Sequence, residues 1–204
     1  MTRRIAIVGN GPIAPGLAGV IDSADMVIRF NLCRSAGRGG VRTDVVAVCN
    51  TGRPALEMLA GGYWKASETV RQAREIWCVR ASEIFAALRA PLSRSHPDLD
   101  DFCDDYTAGF KAFARATGRR LSVIPAETHR ALDASLAAFD PAPYVVPSSG
   151  LVTIAHVLDN VASAGDRVLI AGFGHEGWQW HPFAAERQWV EARIAEGRLE
   201  RLDR

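Results

Sequence analysis

No two of the four cysteines form a CxxC pair, no apolar run is long enough to cross a bilayer, and the net charge is close to zero. Each absence excludes a class of function. Dispersed Cys33, Cys49, Cys78 and Cys103 argue against a zinc knuckle or a thioredoxin-type redox site, and are read as reduced thiols packed as small apolar side chains. With 24 Lys plus Arg against 23 Asp plus Glu, a formal charge of +1 gives no broad field to attract nucleic acid or an acidic membrane. An anionic ligand must be held by local geometry. Only four apolar residues separate Arg4 from Gly9, too few for a signal-peptide core or a membrane span, so a cytoplasmic protein is expected. There is no internal repeat, low-complexity run or linker, and 204 residues with 48% hydrophobic content suffice for one domain with a sizeable core.

What is present reads as alternating strands and helices. Ile5-Ala6-Ile7-Val8 is short, continuously apolar and ended by Gly9, as expected for a strand buried on both faces. Met26-Val27-Ile28 and Val45 to Val48 repeat the pattern, Val168 to Ala171 reads as a further buried strand, and Ile76 to Val79 and Leu121 to Ile124 read as strands. Helices are expected over Gly16 to Asp22, Ser82 to Leu88, Tyr106 to Thr117, Thr128 to Phe139, Ser149 to Ala162 and Pro182 to Glu196. Pro54 to Glu75 is polar with scattered apolar residues, and Pro91 to Asp105 has the prolines and aspartates of an exposed connection. The order predicts one α/β domain over residues 1–204, a doubly wound, mostly parallel sheet of the Rossmann-like, nucleotide-binding kind, with its site at the C-terminal strand edges.

Three segments carry candidate chemistry. Gly9-Asn10-Gly11 follows the first strand, where glycines let backbone N–H groups approach a phosphate or ribose. Continued to Ala14 it fits G-x-G-x-x-A, so an NAD(P)-dependent oxidoreductase with Arg29 on a ribose phosphate is one reading. Ser148-Ser149-Gly150 opens a helix, where hydroxyls and free N–H groups form either an anion site or an ordinary cap. His181 precedes Glu186 by the spacing His-x4-Glu. An imidazole with a pKa of about 6.5 suits a general base, while Glu186 has three readings: orienting the ring, accepting a substrate hydroxyl, or charge-capping its helix.

Taken in order, these segments resemble the sialyltransferase family. Gly9-Asn10, Ile21-Asp22-Ser23-Ala24-Asp25, Arg29-Phe30-Asn31 and Thr43-Asp44 are similar to its large motif; Pro147 to Leu151 with Gly172-Phe173-Gly174 to its small motif; His181 to Glu186 to its very small motif. The resemblance implies a variant of the GT-A architecture and inverting transfer of sialic acid or a related acidic sugar from a CMP-activated donor to an acceptor hydroxyl. It implies His181 as base with Glu186 beside it, and a donor held by Gly9, Asn10, Gly11, Asn31, Ser148, Ser149, Gly150 and, secondarily, His175. No metal and no cofactor is implied, and no Asp-x-Asp pair suggests itself as a metal ligand. Arg29 has the competing structural use of pairing with an acid to lock its strand end, and Asp22 and Asp25 that of capping turns. Trp178, Trp180 and Trp189 have a use either against a sugar or in burying apolar surface. His96, His129 and His156 are left unassigned.

The resemblance leaves the middle third unmatched, and that part is expected to shape the acceptor side. Ile5 stands where the animal enzymes have a cysteine, so their disulfide is absent, and the six residues between Gly174 and His181 leave no room for the family's third motif. Bacterial chains similar to this one are also described as accessory proteins of urease operons. That leaves a nucleotide-binding accessory protein without turnover as a further reading; the His and Cys spacing offers nothing for a nickel site.

Overall fold

The structure is a computed structural model and describes residues 2–202. Seven strands form one sheet: β1 (Arg4–Val8), β2 (Met26–Phe30), β3 (Val45–Val48), β4 (Glu75–Cys78), β5 (Arg120–Val123), β6 (Arg167–Ala171) and β7 (Glu200–Arg201). Their order is β5-β4-β3-β2-β1-β6-β7 and every pairing is parallel. The mostly parallel sheet expected from the sequence is thus entirely parallel among the described residues. The order runs outward from β1 in one direction through β5 and in the other through β6, so the connections that follow β1 and β6 run to opposite sides of the sheet. A crevice at such a switch point is where ligands bind in open α/β sheets.

Helices cover both faces, which is why the inner strands are apolar at every position. On one face Ile5, Ile7, Ile28, Val45 and Trp77 pack against α7 (Ala126–Leu136), α8 (Ser149–His156) and α9 (Phe183–Ala195) through Leu132, Ile154 and Val190. On the other, Val46, Val48, Ile76 and Cys78 meet α2 (Gly52–Ala60), α3 (Gly62–Ala66), α4 (Glu68–Gln72) and α6 (Thr107–Ala116) through Met58, Trp64, Val70 and Phe110. Beside them α1 (Ala18–Asp22) covers Ala6, Val8 and Val27 with Leu17 and Ile21. Each fully buried Val, Leu, Ile, Phe or Met among these contributes about 1.5–3 kcal/mol. All four cysteines are free and buried.

Three elements differ from expectation. Pro54 to Glu75 holds α2, α3 and α4, because one buried residue every three to six positions (Ala55, Met58, Trp64, Val70) is enough to anchor helices that are otherwise solvated. The helix expected over Ser82 to Leu88 is α5 (Ser82–Ser95), which continues through Pro91. Pro91 and Ala87 are exposed, so water can satisfy the carbonyl that the missing N–H leaves bare. β7 is two residues long, too short for a periodic signal.

Candidate functional site

Close backbone approach by itself requires the glycines after β1. Gly9 N–H donates to Ala171 O at 2.8 Å and Gly11 N–H to Gly172 O at 2.9 Å, so the turn is laced to the exit of β6. A Cβ on Gly9 would lie 2.3 Å from Gly172 O, and one on Gly11 2.8 Å. The chain then stays irregular until α1, a five-residue helix beginning at Ala18 with no side-chain cap. A dinucleotide loop needs free N–H groups leading straight into a helix N-terminus. Here two of the N–H groups, those of Gly9 and Gly11, are already bonded, and no helix N-terminus follows directly. Arg29 is also unavailable to a ribose phosphate: it is fully buried and donates to the carbonyls of Gly39, Gly40 and Arg42 and to the hydroxyls of Ser35 and Thr43. The acid partner expected for it is replaced by these neutral acceptors. Asp22 completes the network by accepting from the N–H groups of Val41 and Arg42. Several residues of the first motif therefore build the loop that carries the chain from β2 to β3.

That loop begins at Asn31, whose φ of 49° turns the chain out of β2. Its Oδ1 accepts from Cys49 N–H at 2.8 Å, and its own carbonyl accepts from Trp64 Nε1 at 2.9 Å. The amide Nδ2 is left over and the residue lines both cavities described below. Asn10 is more committed than expected, since Nδ2 donates to Phe30 O and Oδ1 accepts from Arg34 N–H.

At the start of α8, Ser148 is the cap, its Oγ accepting from Leu151 N–H at 3.1 Å. Glu186, 1% exposed, accepts both Ser148 N–H at 2.6 Å and Ser148 Oγ–H at 2.7 Å. Ser148 is consequently saturated by protein groups. Ser149 and Gly150 come next, with N–H groups that find no acceptor among the described residues. These two orphan donors lie at the positive end of the helix, on residues that line the crevice. Gly150 also packs under Phe173, where a Cβ would meet the ring at 2.7 Å.

His181 follows a short irregular segment and is tied to the approach of α8: Val145 N–H donates to Trp180 O at 2.9 Å, and His181 Nδ1 lies 2.8 Å from Val146 O. A carbonyl can only accept, so Nδ1 carries the proton and Nε2 keeps its lone pair. Burial, with Arg80 near by, pushes the imidazole down to about 4 and keeps it neutral at pH 7. Glu186 does not touch the ring: the expected orienting carboxylate is replaced by a backbone carbonyl, and Glu186 instead fixes the helix start. Burial raises its pKa, against the pull of the Ser148 hydrogen bonds. Trp178 leans edge-on against His181 at 4.9 Å and stacks on Phe102 at 5.1 Å, so it belongs to the site wall. Trp189 is core, and Trp180 packs on His96.

Two cavities meet at these residues. The outer one, about 430 Å³, is lined by Gly9, Asn10, Gly11, Ser148, Gly150 and His175 among others; the inner one, about 390 Å³, by Thr51, Pro54, Arg80 and Phe102. Asn31, Ser149, Trp178 and His181 line both. Every residue expected to hold the donor reaches the outer cavity. His175, at φ 50°, has an enclosed Nε2 without a partner and a pKa pushed down to about 4 by burial and by Arg201 and Arg187. His129 and His156 are structural, the one bonded to Val79 O and the other edge-on to Trp77. A larger hollow of about 540 Å³ beside β7, lined by Glu191 and Arg201 among others, shares no lining residue with these two cavities.

Arg80 and Thr51 were not legible beforehand. Arg80 sits two residues past β4, between apolar neighbours, without a motif around it. The only available signal was a charged residue directly after a buried strand. Among the described residues no three His, Cys, Asp or Glu side chains come together as metal ligands. Asp98-Leu99-Asp100 does have Asp-x-Asp spacing, contrary to expectation; both carboxylates are exposed, beside the cavity-lining Leu99 and Asp101.

The sequence matches no model of a protein family. It is 66% identical over 200 residues, 98% of this chain and 93% of the relative, to the urease operon 23 kDa accessory protein of Rhizobium meliloti (strain 1021). The chain belongs to that accessory protein's family. Its fold is that of the sialyltransferases. A mammalian sialyltransferase superimposes with a TM-score of 0.59 at 14% identity, covering 99% of this chain and 69% of that one. The sialyltransferase CstII from Campylobacter jejuni in complex with CMP-3FNeuAc gives 0.59 at 11% identity, covering 99% and 81%. The same enzyme in complex with cytidine-5'-monophosphate gives 0.54 at 13%, covering 99% and 80%. No described helix is long and apolar enough to cross a membrane.

Proposed function

We propose that this member of the accessory-protein family is a metal-independent, inverting glycosyltransferase that moves an acidic sugar from a CMP-activated donor to an acceptor hydroxyl. The observation that carries the reading is His181: its Nδ1–H is spent on Val146 O, so Nε2 is the free base at the junction of two cavities. In the step proposed, Nε2 takes the acceptor's proton as that oxygen bonds to the anomeric carbon. The bond from that carbon to the phosphate oxygen breaks, and CMP leaves with the electron pair. The N–H groups of Ser149 and Gly150 supply hydrogen bonds and helix-dipole charge for the leaving phosphate. An anionic donor beside His181 favours the imidazolium and raises its proton affinity as the reaction begins.

The experiment is calorimetric titration with CMP and, separately, NADPH, without added metal. Saturable CMP binding weakened by Asn31→Ala supports the reading. NADPH binding with no response to CMP sinks it. A second reading, a nucleotide-binding accessory protein without turnover, is favoured by the name of the 66% identical relative. CMP binding without donor hydrolysis or transfer would select it.

A further inference from the structure

Arg80 is 2% exposed, and a guanidinium taken out of water is costly unless its donors and charge are matched. Arg29 shows one way of meeting that cost, with five hydrogen bonds to neutral groups. Arg80 does not follow it. Its side chain makes one hydrogen bond, Nη1 to Pro147 O at 3.1 Å, and lies 5.0 Å over the Phe85 ring. Nε is enclosed without an acceptor, and no carboxylate of the described residues is hydrogen-bonded to the group: buried Glu186 attracts it only through space, its oxygens being bonded to Ser148. Thr51 Oγ1, on a residue 1% exposed, is likewise enclosed and unpartnered. Both residues line the inner cavity, as does His181. Asp101, the carboxylate on that wall, is committed to Arg53 at 2.7 Å.

A buried cation and a buried hydroxyl, both short of partners and lining one chamber with a candidate base, describe half of an anion site. Part of the chamber wall is apolar, formed by Pro54, Phe102 and Trp178, surfaces that suit the apolar face of a sugar ring. The planar guanidinium matches a carboxylate, whereas the N–H groups of Ser149 and Gly150 offer a separate seat to a phosphate. We propose that Arg80, helped by Thr51, is the specificity-determining residue of a carboxylate subsite in the inner cavity. This rests on the glycosyl-transfer reading for its context. The carboxylate belongs either to the transferred sugar or to the acceptor.

Binding tests it without turnover. Full-length protein is titrated, by calorimetry or ligand-observed NMR, with N-acetylneuraminic acid and glucuronic acid and with the methyl ester of each. At least one acid should bind tenfold or more tightly than its ester, and Arg80→Gln should erase that preference. If Arg80→Gln fails to fold, Arg80→Lys and Thr51→Val carry the comparison, each weakening the acid and not the ester. Equal binding of acid and ester, no binding of either acid, or a preference unchanged in the folded variants overturns the proposal. Displacement of the bound acid by CMP-3FNeuAc but not by CMP assigns the carboxylate to the transferred sugar; simultaneous binding assigns it to the acceptor. CMP titrated alone speaks to the glycosyl-transfer reading separately. If CMP does not bind, that reading fails, while the acid and ester comparison still decides the role of Arg80.

Discussion

His181 donates through Nδ1 to the carbonyl of Val146 at 2.8 Å, and that single bond fixes the tautomer, aims Nε2 and joins two segments far apart in sequence. With the Val145 to Trp180 bond and the two bonds from Ser148 to Glu186, it stitches the start of α8 to the start of α9.

If Nε2 is the base, His181→Ala lowers transfer or donor hydrolysis by about 10²–10⁴-fold, while the affinity for CMP changes little. Steady-state rates beside calorimetric titration check both halves. Unchanged turnover would remove His181 from the chemistry.

Glu186 should prove a matter of stability. Glu186→Ala leaves the N–H and hydroxyl of Ser148 without their acceptor, at a cost of about 2–4 kcal/mol, or a fall of several degrees in Tm. Glu186→Gln, which still accepts one bond, costs less. The pH dependence of any activity should be the same in Glu186→Gln as in the parent, because the side chain touches Ser148 and not His181.

Gly9→Ala places a Cβ 2.3 Å from Gly172 O, backbone against backbone at the switch point. The expected loss is about 2–4 kcal/mol, of the size that overpacking and backbone displacement bring. Urea denaturation measures it. Arg29→Met should be at least as damaging, since it removes five hydrogen bonds and leaves the Gly39 carbonyl and the Ser35 and Thr43 hydroxyls buried without that donor, while Gly40 O keeps the N–H of Gly37.

Acid should weaken the fold earlier than carboxylates alone would require. His129, His175 and His181 are each pushed down to about 4, chiefly by burial, and His156 is lowered too. Unfolded, these rings take up protons near pH 6.5. Their contribution is therefore complete above that pH and is lost as pH falls towards 4, with a slope of at most about 1.4 kcal/mol per pH unit for each ring. Glu186 acts in the opposite sense: its raised pKa lets the folded state gain a proton first, offsetting part of the loss. Denaturation midpoints at pH 7 and pH 5 check the sign, and His129→Gln should flatten the slope.

Much of the fold was readable because buried parallel strands are apolar at consecutive positions. Ile5 to Val8, Val45 to Val48 and Val168 to Ala171 needed no further clue. The helices α2, α3 and α4 were not readable, since each buries so few residues that no stripe stands out. Gly9, Asn31 and His181 were legible because motifs surround them; which of their polar atoms remain free for a ligand was not. That depends on partners distant in the chain, as with Asn10 and Arg34, or Ser148 and Glu186.

By itself the sequence determined the alternation of strand and helix, the turn glycines and the serine cap, because local sterics and burial period decide those. Tertiary structure alone decided that Arg29 is a scaffold and Arg80 a buried cation with a single side-chain hydrogen bond, two arginines that each stand at or just past the end of a buried strand. The difference lies in the acceptors the fold brings to each. Loop carbonyls surround Arg29, whereas a cavity opens beside Arg80.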